Sequence, residues 1–403
     1  MRRIIPIAAV APSALEGAAL AFSSLPPLSL YVHVPWCVRK CPYCDFNSHE
    51  AKGDGGSFPE AEYVAALIAD LESALPLIWG RRVVSIFFGG GTPSLLSGAA
   101  VAELLSAFRA RLSLLPEAEI TLEANPGTVE AERFAAYRAA GVNRLSLGIQ
   151  SFDDAQLGKL GRIHNAADAR RAIAIAQAHF DNFNLDLMTA LPGQSLAAAL
   201  AEVDAALAYE PPHLSCYQLT IEANTHFAQS PPADLPDDEL QADILDAVSA
   251  RIVAAGYQHY ETSAYAKSGR QCQHNRNYWE FGDYLGIGAG AHGKLTSHNQ
   301  VLRQMRWKQP KEYLARVAAG QPVHTETSVA GSDLRFEFML NALRLNQGFH
   351  PALFEQRTAQ PLASVVKELR RAADEGLLAV SAEGIVPSER GRRLLNTLLE
   401  RFL

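Results

Sequence analysis

From residue 28 to about residue 220, short runs of β-branched and other apolar residues alternate with longer runs rich in alanine and leucine. The short runs predict strands at 28–34, 83–88, 119–123, 144–149, 184–188 and 213–220, and the longer ones predict helices at 61–75, 99–112, 131–140, 166–178 and 196–208. Six strand–helix repeats require a parallel sheet, which right-handed crossovers curl into a barrel. We therefore predict an α/β fold, a partial (β/α)6 barrel that binds ligands at the carboxyl ends of its strands.

The composition divides the rest of the chain into further parts. Residues 1–27 start with two arginines and continue as an apolar run that Pro6 and Pro12 interrupt, which favours a flexible leader over a cleaved signal. The barrel occupies 28–255, and an aromatic, glycine-rich connecting region follows at 256–327. Residues 328–403 read as helices with a small hairpin, which predicts a smaller, mostly helical, winged-helix-like C-terminal domain.

Charge and hydrophobicity narrow the class of protein. The 403 residues carry a formal net charge of -7, with 48% hydrophobic and 20% charged residues. These values are ordinary for a globular protein and argue against disorder and against general nucleic-acid binding. The sequence has no uninterrupted apolar run of the roughly 18 residues that a membrane-spanning helix needs. We expect a soluble, cytoplasmic protein without nucleic-acid partners.

The cysteines are unevenly spaced. Three of the five, Cys37, Cys41 and Cys44, fall within eight residues directly after the first predicted strand. An odd count in a long chain does not fit a disulfide framework, and a zinc site would need a further pair of ligands nearby. Three thiolates on one loop suit an iron–sulfur cluster in which one iron has no protein ligand.

Other motifs also follow predicted strands. The run Gly89–Thr92 lets backbone approach a ligand closely, since glycine has no Cβ. Glu123 and Gln150 end the third and fourth strands, where a carboxylate can hold hydroxyl or ammonium groups. Arg162 can pair with a carboxylate in a bidentate manner, and a charge on the apolar strand around Asp186 would be costly without a partner. The alternatives are a helix cap or a surface charge for Glu123, a satisfied core amide for Gln150 and a surface ion pair for Arg162.

A last group of residues lies in the connecting region. His274-Asn275-x-x-Tyr278-Trp279 precedes the glycine-rich run 284–293, which ends in Ala291-His292-Gly293. Histidine is more often structural than a ligand, but this combination is unusual for a plain core. Stacking aromatic side chains and an imidazole would suit a flat aromatic ligand that contains iron.

The spacing Cys-x3-Cys-x2-Cys resembles the radical S-adenosylmethionine (SAM) superfamily. The resemblance implies that Cys37, Cys41 and Cys44 hold a 4Fe–4S cluster whose open iron binds SAM. Within the superfamily, the chain resembles the branch related to coproporphyrinogen dehydrogenase, from residue 28 almost to the carboxyl terminus. That branch contains the oxygen-independent dehydrogenase, which acts in heme synthesis, and the HemW-type heme chaperones.

Position 46 favours the chaperones over the dehydrogenase. The dehydrogenase pattern continues with a further cysteine two residues after the third, whereas this chain has Phe46. The His274 motif also resembles the chaperones, which implies that His274 binds heme. By the same resemblance, Tyr31, Gly90 and Glu123 contact the cluster-bound SAM. The positions that contact a second SAM in the dehydrogenase correspond to Tyr43, Gly91, Thr92, Gln150, Arg162 and Asp186.

The resemblance implies a heme chaperone without coproporphyrinogen oxidase activity, with heme as cargo and respiratory hemoproteins as recipients. It allows homodimers and peripheral association with a membrane. Two alternatives stay open at this point: the dehydrogenase itself, and a radical enzyme that acts on an unrelated substrate and has no heme role.

Overall fold

The computed structural model describes residues 20–51, 57–128 and 131–403. The strands are β1 Leu28–Val34, β2 Trp36–Cys37, β3 His49–Glu50, β4 Arg82–Gly90, β5 Ser113–Ala124, β6 Arg144–Gln150, β7 Phe183–Thr189, β8 His213–Gln218, β9 Gln258–Glu261, β10 Ala264–Ala266, β11 Asp283–Ile287, β12 His292–Thr296, β13 Val301–Arg306, β14 Val323–Ser328, β15 Leu378–Val380 and β16 Ile385–Pro387. Most of them join one large sheet.

The helices are α1 Glu60–Ala74, α2 Gly98–Arg111, α3 Ala131–Ala140, α4 Asp154–Lys159, α5 Ala166–His179, α6 Leu196–Leu207, α7 His226–Gln229, α8 Asp238–Ala254, α9 Gln273–Trp279, α10 Pro310–Ala318, α11 Gly331–Ala342, α12 Pro351–Thr358, α13 Val366–Asp374, α14 Glu389–Arg393 and α15 Leu395–Leu399. Side chains cap several of the crossover helices at their first turn, as Ser97 does for α2 and Ser195 for α6. Within the described residues, no helix is both long enough and apolar enough to cross a bilayer.

The predicted barrel strands form the centre of the sheet. Its order is β14-β13-β12-β11-β1-β4-β5-β6-β7-β8-β10-β9, and β1, β4, β5, β6, β7 and β8 run parallel to one another. Their apolar residues pack beneath the crossover helices in one large hydrophobic core. The prediction of a parallel (β/α) barrel with six strands is therefore confirmed.

The region 256–327 extends the sheet at both edges. Strands β9 and β10 pair antiparallel beyond β8, while β11 pairs parallel with β1 and continues into the antiparallel strands β12 to β14. A buried ion pair between Arg306 on β13 and Asp70 on α1 fastens this edge to the barrel, with a shortest N–O distance of 3.0 Å. The segment predicted as a connection is thus part of the sheet.

The C-terminal residues have a hydrophobic core of their own. Phe338, Phe354 and Leu369 pack together there, and β15 and β16 form an antiparallel hairpin at the predicted place. Phe22 is buried in the same core, and its backbone N–H donates to the carbonyl of His298. The end of the predicted leader therefore packs against the C-terminal part, whereas residues 1–19 lie outside the described residues.

Candidate functional site

The cysteine loop begins where β1 ends. Pro35 interrupts the strand, and the short parallel pair β2–β3 closes the loop at its base. Within the loop, the backbone N–H of Cys44 donates to the carbonyl of Cys41 at 3.1 Å. The three thiols are partly buried and unbridged. The loop therefore presents three free sulfurs at the carboxyl end of the first barrel strand.

Each of these sulfurs has a polar neighbour. The hydroxyl of Thr92 donates to Cys37 Sγ at 3.4 Å, and Arg162 Nη1 donates to Cys41 Sγ at 3.6 Å. The sulfur of Cys44 lies 3.7 Å from the hydroxyl of Ser48. Hydrogen bonds to cluster sulfurs are one means by which a protein adjusts an iron–sulfur centre. Burial raises the pKa of Cys37 and Cys44, so without a bound metal both are protonated at neutral pH.

The spacing of the thiols bears on what they can hold. Across the described ranges, no three His, Cys, Asp or Glu side chains converge as they would around a single metal ion. A cluster of several irons needs its ligands farther apart than one ion does, because each thiolate binds a different iron. Three soft thiolates on one loop suit an iron–sulfur cluster with one iron free of protein ligands, whereas a structural zinc site would take four ligands.

The glycine run at the end of β4 packs directly against this loop. The N–H groups of Gly91 and Thr92 donate to the carbonyls of Val34 and Trp36, each at 2.7 Å. A Cβ at Gly91 would lie 2.6 Å from the Trp36 carbonyl oxygen, and Gly90 has a φ of +115°. These glycines allow two backbones to approach closely, in addition to the predicted approach of a ligand.

The strand ends surround a cavity of about 360 Å³, here named the thiol cavity. Its lining includes eleven of the predicted site residues: Cys37, Cys41, Tyr43, Cys44, Gly90, Gly91, Thr92, Glu123, Gln150, Arg162 and Asp186. They come from the loop after β1, from the ends of β4, β5 and β6 and the residues directly after β4, from the middle of β7, and, for Arg162, from the segment after α4. The structure therefore brings together residues that the sequence separates by as many as about 150 positions.

Two carboxyl groups form one wall of the thiol cavity. Glu123 accepts a hydrogen bond from the Gly90 N–H at 3.3 Å, and burial together with the nearby Asp186 raises the pKa of Glu123 to about 8. Asp186 accepts hydrogen bonds from Ser146 at 2.9 Å and Asn184 at 2.8 Å, although burial still raises its pKa. Glu123 is therefore mostly protonated at neutral pH and can donate or accept a hydrogen bond.

Arg162 and Tyr43 also line the thiol cavity. Arg162 Nη2 donates to the carbonyl of Gly148 at 2.9 Å, while its Nη1 contacts the hydroxyl of Tyr43 at 3.5 Å. Gln150 ends β6 with a φ of +65°, which turns the chain out of the strand at the cavity. A cation, a phenol and an amide thus line the same cavity as the two carboxyl groups.

Tyr31 and His274 lie outside the thiol cavity lining. His274 is 2% exposed on α9, lies 3.0 Å from the Ser85 hydroxyl through Nδ1, and stacks on Phe87 with ring centroids 4.8 Å apart. Its Nε2 is buried without a hydrogen-bond partner. Both residues border an inner cavity of about 190 Å³, which Tyr278 also lines.

Sequence profiles match two parts of the chain: the Radical SAM superfamily at residues 31–204 and the HemN C-terminal domain at residues 330–394. Heme chaperone HemW of Escherichia coli is 49% identical over 381 residues, which cover 94% of this chain and 99% of that protein. Heme chaperone HemW of Haemophilus influenzae is 48% identical over 385 residues, covering 94% and 98%. The chain belongs to the HemW family.

Relatives outside bacteria and one solved structure extend the HemW family comparison. Radical S-adenosyl methionine domain-containing protein 1, mitochondrial, of Bos taurus is 36% identical over 93% of this chain and 87% of that protein. The structure of coproporphyrinogen III oxidase (HemN) from Escherichia coli, described as a radical SAM enzyme, superposes with a TM-score of 0.79 at 25% identity, covering 94% of this chain and 90% of that one. The family predicted from Phe46 is confirmed, and so is the fold shared with HemN.

In this HemW family member Phe46 is 58% exposed and borders the thiol cavity. It also lines a neighbouring cavity of about 570 Å³, here named the histidine cavity, which includes His33, His49 and His292. Glu123 and Gly90 line both cavities. From the sequence, His292 stands out only as part of the glycine-rich run, and no motif marks His33 or His49. The signal that could have identified His292 is the Gly-Ala-His-Gly turn itself.

Proposed function

We propose that this protein is a heme chaperone that carries a 4Fe–4S cluster and SAM and transfers heme to target hemoproteins. The observation that carries the proposal is the loop 37–46, in which three thiols border one cavity and an exposed phenylalanine stands where the dehydrogenase pattern has cysteine. The similarity to proteins named heme chaperone HemW, over nearly the full length of both chains, supports heme as the cargo.

The thiol cavity supports the cofactor part of the proposal. Cys37, Cys41 and Cys44 would hold the cluster, and the neighbouring donors Thr92 and Arg162 would stabilise their thiolates. The cluster would supply one-electron chemistry and an open iron site to SAM. The three sulfurs and the polar walls of the thiol cavity support this part of the proposal.

The residues of the chain divide the work of binding SAM. We propose that Tyr31, Gly90 and Glu123 contact the SAM at the cluster, where a cationic group of the ligand would favour the ionised form of Glu123. Tyr43, Gly91, Thr92, Gln150, Arg162 and Asp186 are proposed to form the second SAM position known from the dehydrogenase. Most of these residues already line the same cavity, which supports one shared binding region.

The assignment of His274 as heme ligand stays a prediction. The inner cavity that its Nε2 borders has about 190 Å³, and cavities that hold drug-sized ligands have roughly 300–1,000 Å³. A porphyrin would therefore have to displace Tyr31 or Tyr278, which line this cavity, before it reached the imidazole. The recipients proposed are respiratory hemoproteins, reached from the cytoplasm by a chaperone that forms homodimers at the membrane periphery.

The runner-up function is oxygen-independent coproporphyrinogen dehydrogenase, which the structural likeness to HemN favours. The test uses anaerobically reconstituted protein with reductant, SAM and coproporphyrinogen III, and detects the divinyl product by chromatography. We expect no product while iron analysis shows an intact cluster. Catalytic accumulation of the product would replace the chaperone proposal with the dehydrogenase.

A second assay tests heme transfer directly. The reconstituted protein is loaded with hemin, mixed with an apo-form of a respiratory b-type cytochrome, and followed by the visible spectrum of the acceptor. We expect transfer by the wild type and little transfer by the variant in which Cys37, Cys41 and Cys44 are all serine. Unchanged transfer by that variant would refute the role given to the cluster.

A further inference from the structure

The histidine cavity is the largest of the three cavities described above and borders the cysteine loop on the side of β11 and β12. Its volume of about 570 Å³ lies inside the roughly 300–1,000 Å³ range of cavities that bind small ligands. It contacts the proposed SAM residues Tyr31, Gly90 and Glu123, but most of its lining has no role in the proposed function. A ligand of porphyrin size therefore has a candidate location here.

The walls of the histidine cavity are fixed by specific hydrogen bonds. The amide of Asn47, at the end of the cysteine loop, donates to the carbonyls of Ala289 and Lys308, each at 2.9 Å. Gly290 has a φ of +80°, and a Cβ there would lie 2.2 Å from Asn47 Nδ2. The glycine-rich turn thus fits tightly against the cysteine loop, and β12 begins directly afterwards with His292.

The three histidines differ in how far their ring nitrogens are already engaged. His33 contacts the Tyr31 hydroxyl at 3.0 Å through Nδ1 and the Asn47 carbonyl at 2.9 Å through Nε2. His49 is bonded to the backbone of Lys308, and its Nε2 is buried without a partner. The exposed His292 has no hydrogen bond from either ring nitrogen to the residues that the structure describes. His49 and His292 therefore both keep a ring nitrogen without a partner, and His292 is the one of the two that is exposed to a ligand in the cavity.

The charges and rings around His292 suit a porphyrin. The cations Lys308 and Arg303 lie near His292. Lys40 also lines the cavity, and its Nζ donates to the Phe46 carbonyl at 3.1 Å. Lysines can pair with the two carboxylates of heme, although Asp45 and Glu123 line the same cavity.

Aromatic side chains complete the lining. Tyr278 and Tyr284 contact each other edge to face, with ring centroids 4.4 Å apart. Phe46 is largely exposed, and Tyr31 lines both the histidine cavity and the inner cavity. Flat apolar ligands gain contact area from such rings at little entropic cost. The motif residue Tyr278 therefore takes part in this cavity, although His274 does not line it.

We infer that the histidine cavity is the heme site of this chain, with the imidazole of His292 as an axial iron ligand and Lys40 and Lys308 facing the propionates. The inference rests on the proposed function, since it names the site of the proposed cargo. It assigns His274 a positioning role, because the His274 ring packs edge to face against Tyr278 with centroids 4.9 Å apart.

The test is a hemin titration of the full chain, followed by the Soret band in the wild type, His292→Ala, His292→Cys and His274→Ala. The matched control is His298→Ala, which removes another exposed histidine, from the segment after the other end of β12. Thermal melting of each variant shows whether it is folded. We expect His292→Ala to weaken hemin binding by about tenfold or more, while His298→Ala leaves it unchanged.

The cysteine variant gives the decisive spectrum. A thiolate and an imidazole produce different heme spectra, so His292→Cys is expected to replace the imidazole signature with a thiolate signature. A wild-type spectrum in folded His292→Ala and His292→Cys would overturn this inference and leave the proposed function intact. A thiolate signature would support it even if His274→Ala also weakens binding. The absence of saturable hemin binding in the wild type would overturn both.

Discussion

The thiol cavity and the histidine cavity lie side by side but are built in different ways. The thiol cavity collects residues from the carboxyl ends of successive parallel strands, β1 and β4 to β7. The general rule for barrel sites therefore finds it. The histidine cavity joins the segment 31–49 to the segment 278–308, which the chain brings together by placing β11 beside β1.

The difference between the cavities shows which kind of site can be predicted from local sequence patterns and which cannot. Residues at strand ends share an edge because the topology repeats, so their meeting needs no knowledge of a particular contact. The second cavity depends on a parallel pairing between strands that are about 250 residues apart, and on the fit of Asn47 against Gly290. Loss of a polar contact should therefore damage the two regions unequally.

The largest expected effect is the loss of cluster iron from the thiol cavity, with hemin binding in the histidine cavity retained. Replacing Cys37, Cys41 and Cys44 with serine removes the soft ligands, so anaerobic reconstitution should leave essentially no cluster iron and no visible cluster absorption. The histidine cavity uses none of these thiols and should still bind hemin saturably. The control is Cys216→Ala, since Cys216 is a buried thiol on β8 and should leave the iron content unchanged. Full iron in the triple variant would contradict the assignment of ligands.

The next effect tests the long-range fastening of the edge strands. Asp70 accepts hydrogen bonds from Arg306, from the Tyr313 hydroxyl at 2.8 Å and from the N–H of Gly288 at 3.1 Å. Asp70→Asn leaves the guanidinium buried without its anion, which should cost about 3–5 kcal/mol of stability. The melting temperature should fall, and the hemin titration should weaken, because Gly288 belongs to the turn before His292.

A matched control for this ion pair is available on the surface. Glu312 and Arg316 form an exposed i,i+4 pair on α10 with an N–O distance of 3.5 Å. Glu312→Gln should change stability by at most about 0.5 kcal/mol, because water screens the pair. Equal melting temperatures for Asp70→Asn and Glu312→Gln would show that the buried pair does not hold the edge in place.

A glycine substitution probes the thiol cavity by itself. Gly91→Ala forces a Cβ against the Trp36 carbonyl, which the cysteine loop can relieve only by moving its backbone. We expect a loss of about 1–3 kcal/mol in stability and weaker SAM binding in calorimetry. Gly158→Ala is the control, since no atom lies within 4 Å of the added Cβ in the exposed helix α4, and it should stabilise by up to about 1 kcal/mol. Similar losses in both variants would contradict the close packing.

The smallest effect concerns pH. Glu123 has a pKa of about 8 in the folded chain and 4.5 ordinarily, so the folded protein binds more protons than the unfolded chain between these values. Its contribution to stability is present at low pH and is lost as the pH rises through 8. Glu123→Gln should therefore gain stability relative to the wild type as the pH rises through this window, by about 1 kcal/mol between pH 7 and pH 8.5, in cofactor-free protein.

The control for this pH effect lies on the same strand. Glu117 is an exposed residue of β5, and Glu117→Gln should show no such growth between pH 6 and pH 8.5 when melting temperatures are compared with the wild type. A pH-independent difference for Glu123→Gln would contradict the burial of an uncharged carboxyl group.

Much of the barrel could be predicted from the sequence because its strands are apolar and its helices begin at clear caps. The start of β5 was predicted at residue 119, but the strand begins at Ser113. Pro116 and Glu117 discourage a strand assignment, and an irregularity in the pairing with β4 near Val83 and Ser85 accommodates them. Here the tertiary pairing outweighs the local preference.

The candidate site could be predicted from the sequence only as far as the order of the strands could. The residues of the thiol cavity follow strands, so their convergence could be inferred without contacts. Aromatic and glycine residues in 256–327 obscure the alternation of the edge strands, so the sequence predicts only a connecting region there. His33 and His49 were missed because each sits in an apolar or irregular run, and only the packing of the Gly290 turn places them near His292.

The thiol cavity and the histidine cavity have a common wall, to which Asp45, Phe46, Ser48, Gly90 and Glu123 contribute. A ligand that shifts this wall while it binds on one side changes the free energy of binding on the other. Thermodynamic reciprocity then requires the second ligand to change the affinity of the first by the same factor. For such a ligand, occupancy of one site changes the affinity of the other, and a single coupling free energy describes both directions.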